Sequence, residues 1–209
     1  MTTIIDYGVG NLFSLACSLE KIGEQTEVTS DAEKIMKAER IILPGVGAFE
    51  DAAKKLRDSG LDQVLLAKAA MGTPILGICL GMQMLFDVSY EFGEHQGLGL
   101  IPGKINPISP VIGDLKSPQM GWNSLIFPAD MPKHPIFKYV NQGDYVYFVH
   151  SYAAMDCDES ATALTEYGTY LTAAACHENV CGTQFHPEKS GNVGLAILRA
   201  FTEIPTKQS

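Results

Sequence analysis

The chain has 209 residues, 46% of them hydrophobic, and a formal net charge of -9. That length cores one domain well and two poorly, so residues 1–209 are expected to form a single domain. The acidic balance argues against nucleic acid or an anionic membrane as the main partner, and leaves a small molecule or another protein. Five cysteines, at 17, 79, 157, 176 and 181, make an odd count that predicts free thiols in a reducing compartment. The start of the chain has no basic, apolar leader and no stretch reaches membrane-spanning length, so a cytoplasmic location is expected.

Residues 2–6, β-branched up to Asp6, precede Tyr7-Gly-Val-Gly-Asn11, after which Leu12, Leu15, Leu19 and Ile22 recur at helical intervals up to Gly23. This predicts a strand, a glycine turn and an amphipathic helix. Gly8-Val-Gly10 lacks the rest of a dinucleotide fingerprint and no Lys-Ser/Thr follows, so tight-turn glycines are the better account. Residues 27–29 read as a second strand, Asp31 as the cap of a short helix, and residues 40–43 as a buried third strand. The third strand runs into Pro44-Gly-Val-Gly47, which places bare backbone at the sheet edge where ligands bind in open α/β folds. Helices over 48–56 and 61–71 follow.

Thr73-Pro-Ile-Leu-Gly-Ile-Cys79-Leu-Gly-Met-Gln83 then combines a short apolar strand with the start of a helix over residues 80–86. Cys79 falls at the junction, between Gly77 and Gly81, in the spacing of a strained strand-to-helix turn that presents a nucleophile. There a sulfur faces the unpaired N–H groups and the positive dipole end of the helix, which can also receive an oxyanion. The competing reading is a buried structural cysteine.

The glycine- and proline-rich residues 89–110 predict a long loop and an extended strand over 104–108. Trp122, the only tryptophan, suits either a core or a partner interface. Residues 144–152 have a clear strand pattern, and short strands continue to Phe185, including a hairpin around Glu178-Asn179. A closing amphipathic helix is predicted over residues 192–201, and a fraying polar tail over 205–209. The fold class expected is α/β: an open, mostly parallel central sheet with helices on both faces and added antiparallel strands in the C-terminal half.

A thiolate nucleophile needs a base, and the base needs an orienting group. His186-Pro-Glu188 supplies both, since an extended segment projects residues two apart to the same side. Cys176, His177, Cys181 and His186 are also possible metal ligands, but adjacent residues 176 and 177 on a strand point to opposite faces, so no metal site and no cofactor are expected. His95, His134 and His150 lack metal-ligand spacing and read as loop or hydrogen-bonding residues.

Gly-Ile-Cys79-Leu-Gly-Met-Gln83, Pro44-Gly-Val-Gly47 and Phe185-His-Pro-Glu-Lys-Ser190 together resemble the class I glutamine amidotransferase family. Ile5-Asp-Tyr-Gly-Val-Gly-Asn11, Met120-Gly-Trp-Asn123 and Tyr147-Phe-Val-His-Ser-Tyr152 are similar to its branch that serves histidine biosynthesis. The resemblance implies hydrolysis of L-glutamine to glutamate and ammonia through a Cys79 thioester, with His186 as base and acid and Glu188 as its orienter. It implies oxyanion contacts at Val46, Gly47 and Leu80, and glutamine-holding roles for Gln83, Glu91, Ser151 and Tyr152. Asn11, Trp122, Tyr147 and Lys189 match positions turned toward a (β/α)8-barrel cyclase subunit, the heterodimer partner. That partner uses the ammonia to form imidazole glycerol phosphate and aminoimidazole carboxamide ribotide. Phe13 and Gln119 depart from the family pattern, and both are expected to alter the partner surface. The alternatives are an acceptor such as a sugar-modification synthase, or a cysteine amidase or peptidase on a related fold.

Overall fold

The structure, a computed structural model, describes residues 1–206. Part of the expected polar tail, residues 207–209, lies outside the described residues. The first half alternates strand and helix: β1 (Thr2–Ile5), α1 (Leu12–Lys21), β2 (Thr26–Thr29), α2 (Ala32–Met36), β3 (Arg40–Gly45), α3 (Phe49–Asp58), α4 (Leu61–Ala70), β4 (Ile75–Cys79) and α5 (Leu80–Met84). Strands dominate after that: β5 (Phe86–Ser89), β6 (His95–Gln96), β7 (Ile101–Pro107), β8 (Gln119–Ser124), β9 (Tyr145–His150), β10 (Tyr152–Met155), β11 (Ala161–Tyr167), β12 (Thr169–His177) and β13 (Val180–Thr183), closed by α6 (Gly191–Thr202). Among the described residues no helix is long and apolar enough to cross a membrane.

The central sheet has seven strands in the order β11-β12-β13-β4-β3-β1-β2. The block from β13 to β2 is parallel, while β11 and β12 pair antiparallel at one edge. Three of the late strands thus join the main sheet, β13 within the parallel block and β11 and β12 as the added antiparallel strands expected. The other six do not: β10, β7, β5 and β6 form a four-stranded sheet, and β8 with β9 a two-stranded ribbon. The expected helix over 80–86 is shorter, because Phe86 already enters β5.

Alternation sorts the strand side chains onto two cores. Ile5, Ile41, Leu43 and Ile75 face a layer built with Phe49, Leu56 and Leu65 of α3 and α4. Ile4, Ile42, Leu76 and Ile78 face the opposite layer, which contains Leu15 and Leu19 of α1 and Ile197, Leu198 and Phe201 of α6. A parallel strand covered on both faces has no polar side to spare, which is why β3 and β4 read as continuous apolar runs.

The free-thiol expectation holds for Cys17, Cys79 and Cys157 but not for the other two, since Cys176 and Cys181 form a disulfide. The two-residue turn at Glu178-Asn179 makes 176 and 181 direct register partners, with their Cα atoms 4.1 Å apart. Cross-strand partners share one face of a sheet, so the pairing follows from the hairpin rather than from the cysteine count.

A tight backbone contact lies under Cys79. A Cβ at Gly81 would stand 1.9 Å from the Leu43 carbonyl oxygen of β3, and one at Gly45 would stand 2.6 Å from the Gly81 nitrogen. Gly81→Ala is therefore expected to cost about 3 kcal/mol through overpacking. Gly23→Ala, at φ +82 with nothing within 4 Å, is expected to cost about 1 kcal/mol from its left-handed backbone alone. Urea denaturation of the two variants compares them, and equal losses would show that the turn tolerates a side chain.

Candidate active site

Cys79 ends β4 and precedes α5 with φ 55 and ψ -111, a conformation that non-glycine residues adopt rarely. The expected strained turn is present. Because β13 runs parallel to β4, with Thr183 level with Ile78, the segment leaving β13 arrives beside Cys79 at the C-terminal edge of the sheet. That segment carries His186 and Glu188.

His186 Nδ1 lies 2.8 Å from a Glu188 carboxylate oxygen, and both side chains are almost fully buried. The segment is fixed by its backbone: His186 N–H donates to the Tyr147 carbonyl at 3.0 Å, and the Ser190 hydroxyl donates to the His186 carbonyl at 2.6 Å. Burial by itself disfavours a proton on His186. The Cys79 sulfur and the Glu188 carboxylate, through hydrogen bonding and charge, outweigh it and push the imidazole up to about 9. Sulfur, imidazole and carboxylate in series are the parts that acyl transfer to a cysteine requires.

A cavity of about 340 Å³ opens over the sulfur. Its wall contains Cys79 and His186, the three expected oxyanion positions Val46, Gly47 and Leu80, and all four expected glutamine-holding residues, Gln83, Glu91, Ser151 and Tyr152. Gln83 is buried and donates through Nε2 to the Tyr152 carbonyl at 3.1 Å and to Gln184 Oε1 at 3.0 Å. Glu91 accepts from Phe49 N–H at 2.6 Å, so its carboxylate sits at the N-terminus of α3, where the helix dipole favours an anion. Glu188 does not line this cavity. It borders a smaller space behind His186, shared with Asn11 and Val46, and its Oε2 is buried without a partner.

Two contributors, Gln184 and Tyr7, were not singled out in the sequence, and a third, His150, was expected only as a loop or hydrogen-bonding residue. Gln184 is fully buried and donates from Nε2 to Cys79 Sγ at 3.8 Å, joining the sulfur to Gln83. Tyr7 donates its hydroxyl to the Pro44 carbonyl at 2.7 Å and fastens the Pro-Gly-Val-Gly turn; burial, chiefly, raises its affinity for its proton. His150 is held by the Tyr152 carbonyl at 2.8 Å and the Gln119 side-chain amide at 2.9 Å. Burial foremost, with the His186 charge added, overcomes the Tyr152 bond and lowers His150 to about 4, so its ring is neutral. Gln119 was expected at a partner surface; it is instead fully buried, because 119 alternates inward on β8 and reaches His150.

Of the four expected interface residues, Lys189 reaches the cavity, Trp122 and Tyr147 join it through ring contacts, and Asn11 borders the smaller space behind His186. Trp122 packs edge-on against Tyr147 with ring centroids 6.1 Å apart, and Lys189 Nζ lies 5.9 Å from the Tyr147 ring centre. Lys189 also lines the cavity, and Asn11 caps α1 by accepting from Ser14 N–H. Met120, Trp122 and Tyr145 are exposed on the outer face of the β8–β9 ribbon, and Phe13 is exposed on α1.

The His186 shift has a pH consequence. A His whose folded proton affinity exceeds its unfolded value of 6.5 contributes its full stability below pH 6.5 and loses it as pH rises through about 9. In Glu188→Gln, NMR titration of His186 is expected to show a midpoint moved down from about 9 toward 6.5. The gap in thermal stability between parent and variant should be widest below pH 6.5 and narrow above 9. A midpoint that stays near 9 would remove Glu188 as the partner that holds the proton.

A model of the class-I glutamine amidotransferase family matches residues 3–203. The chain is 46% identical over 207 residues to the imidazole glycerol phosphate synthase subunit HisH of Sulfurimonas denitrificans, covering 97% of this chain and 98% of that one. It is 47% identical over 205 residues to the HisH subunit of Carboxydothermus hydrogenoformans, covering 98% and 100%. Among solved structures it is similar to a glutamine amidotransferase, with a TM-score of 0.73 at 16% identity over 96% of this chain and 98% of that one. It is also similar to PurLQS from Thermotoga maritima, with a TM-score of 0.72 at 20% identity over 96% of each chain. At those identities the structural likenesses bear on the fold alone. With the family match running nearly from end to end, the chain belongs to the class-I glutamine amidotransferase family.

Proposed function

We propose that this chain is the glutaminase subunit of a two-subunit imidazole glycerol phosphate synthase, a single amidotransferase domain that hydrolyses L-glutamine and passes the ammonia to a (β/α)8-barrel cyclase. The observation that carries the reading is one cavity holding Cys79, His186 and the set Gln83, Glu91, Ser151 and Tyr152. The HisH names of the relatives favour this acceptor over a sugar-modification synthase, and over a cysteine amidase or peptidase. A cytoplasmic setting suits exposed Cys17 as a free thiol.

In this mechanism Glu91 receives the α-ammonium of glutamine, while Ser151 and Tyr152 hold its other end-groups. His186, raised to about 9, carries a proton at neutral pH, and the Cys79 sulfur attacks the side-chain amide carbon. The oxygen of that carbon takes up negative charge and is met by N–H groups at Val46, Gly47 and Leu80. His186 gives its proton to the amide nitrogen, the C–N bond breaks, and ammonia leaves a γ-glutamyl thioester on Cys79. His186 then takes a proton from water, whose oxygen attacks the thioester. The C–S bond breaks and glutamate departs. Glu188 holds the ring in one orientation throughout.

The apolar outer face of the β8–β9 ribbon, with Trp122 packed on Tyr147 and Lys189 reaching from the Tyr147 ring to the cavity wall, supports the partner assignment. Cys79→Ala is expected to lower glutaminase turnover by more than about 1,000-fold, with no glutamyl adduct by mass spectrometry. Full activity in that variant would dispose of the mechanism. Adding a barrel cyclase with its ribotide substrate is expected to raise the parent's glutaminase rate, and Trp122→Ala to weaken that response by at least about tenfold in cyclase concentration. An unchanged rate would detach the chain from this acceptor and leave amide hydrolysis standing.

A further inference from the structure

A second cluster of sulfur and nitrogen atoms lies away from the catalytic cavity. Cys176 and Cys181 face each other across the β12–β13 hairpin. His134 comes from the segment before the short 3-10 turn Pro135–Phe137, 42 residues earlier than Cys176. Its Nδ1 is 3.6 Å from Cys176 Sγ, and its Nε2 is 3.9 Å from Cys181 Sγ. One donor atom from each of the three residues falls within 4.8 Å of the other two. The exclusion drawn from the sequence concerned His177, which is exposed at the strand's end, and did not reach His134, which the fold brings in from another element.

A disulfide makes no use of an imidazole, whereas a metal ion can take one as a ligand. The two ring nitrogens of His134 face the two sulfurs, and a neutral imidazole has one lone pair to give. The Thr162 hydroxyl, 3.7 Å from Cys176 Sγ, is placed to donate to a thiolate, the kind of outer contact that steadies a metal ligand. Cys181 is buried, while Cys176 and His134 are half-buried, which leaves one side open for a fourth ligand from solvent. None of the three residues lines the catalytic cavity, and β13 separates Cys181 from His186 by five residues, about 15 Å of extended chain.

We propose that Cys176, Cys181 and His134, with the cysteines reduced, form a binding site for one thiophilic divalent cation of the zinc class, with water as fourth ligand. The disulfide and the metal-bound forms exclude each other. A phosphine with water reduces the disulfide to two thiols and leaves as its oxide. Binding of the cation then releases the two thiol protons, and His134 supplies its lone pair without releasing one. The bound ion would pin the segment that carries His134 to the hairpin whose strand β13 continues to Gln184 and His186.

The test uses the full chain carrying Cys79→Ser, which removes the other sulfur-imidazole pair. The protein is reduced with a phosphine, freed of it without air, and titrated with cobalt(II) while absorption is followed. One equivalent of cobalt is expected to bind, with a thiolate-to-cobalt charge-transfer band that zinc abolishes by displacement. Cys176→Ser and His134→Ala, each checked for folding by circular dichroism, are expected to weaken binding by more than about 100-fold, beyond the usual cost of outer-shell changes. Zinc should raise the thermal midpoint of the reduced parent and leave that of its disulfide form unchanged. Absence of a thiolate-cobalt band in the reduced chain would overturn the proposal. A band of unchanged affinity in the folded His134→Ala protein would overturn it as well.

Discussion

The structure depends on a backbone-to-backbone contact in which the first turn of α5 lies directly on β3. A Cβ at Gly81 would collide with the Leu43 carbonyl and one at Gly45 with the Gly81 nitrogen, so no side chain fits between them. This closeness forces the chain to turn at Cys79 within one residue, and that residue takes a left-handed φ of 55. A larger residue at either glycine would lift α5 away from the sheet and carry the sulfur with it. The position of the nucleophile is therefore set by sterics in the backbone, and the surrounding polar groups are arranged about a point already fixed.

Strand order brings the second half of the site to that point. Inserting β13 beside β4 makes two stretches more than 100 residues apart in sequence into immediate neighbours, with Gln184 reaching Cys79 across a separation of 105 residues. Electrostatics then divides the histidines. His186 and His150 are both buried, yet one is driven up to about 9 and the other down to about 4. The difference lies in their neighbours: His186 has a sulfur and a carboxylate, while His150 has a carbonyl, an amide and the His186 charge. Desolvation alone would have made both rings neutral.

Much of this was legible in the sequence because it is local. The strand-turn-helix around Cys79, the two-residue reach from His186 to Glu188, and the alternating units of the first half each leave a pattern within a short window. Gln184 left no such mark, since a buried amide beside Phe185 reads as an ordinary strand residue until its partner is known. Gln119 was misplaced because its neighbours Met120 and Trp122 are exposed, while alternation turns 119 inward. The Cys176–Cys181 pair was within reach, since the Glu178-Asn179 turn fixes the register. Counting cysteines concealed it, because parity says nothing about geometry. The approach of His134 to that pair has no local signature at all.

The ribbon β8–β9 has a property that its apolar outer face does not announce. Tyr147 offers its ring to Trp122 and Lys189 on the outside, while its carbonyl receives the His186 N–H and its own N–H is received by the Ser190 hydroxyl. One residue is thus both a piece of outer wall and a hinge pin for the imidazole. The outer wall and the backbone that seats the imidazole therefore meet in one residue, held through both of its flanking peptide units.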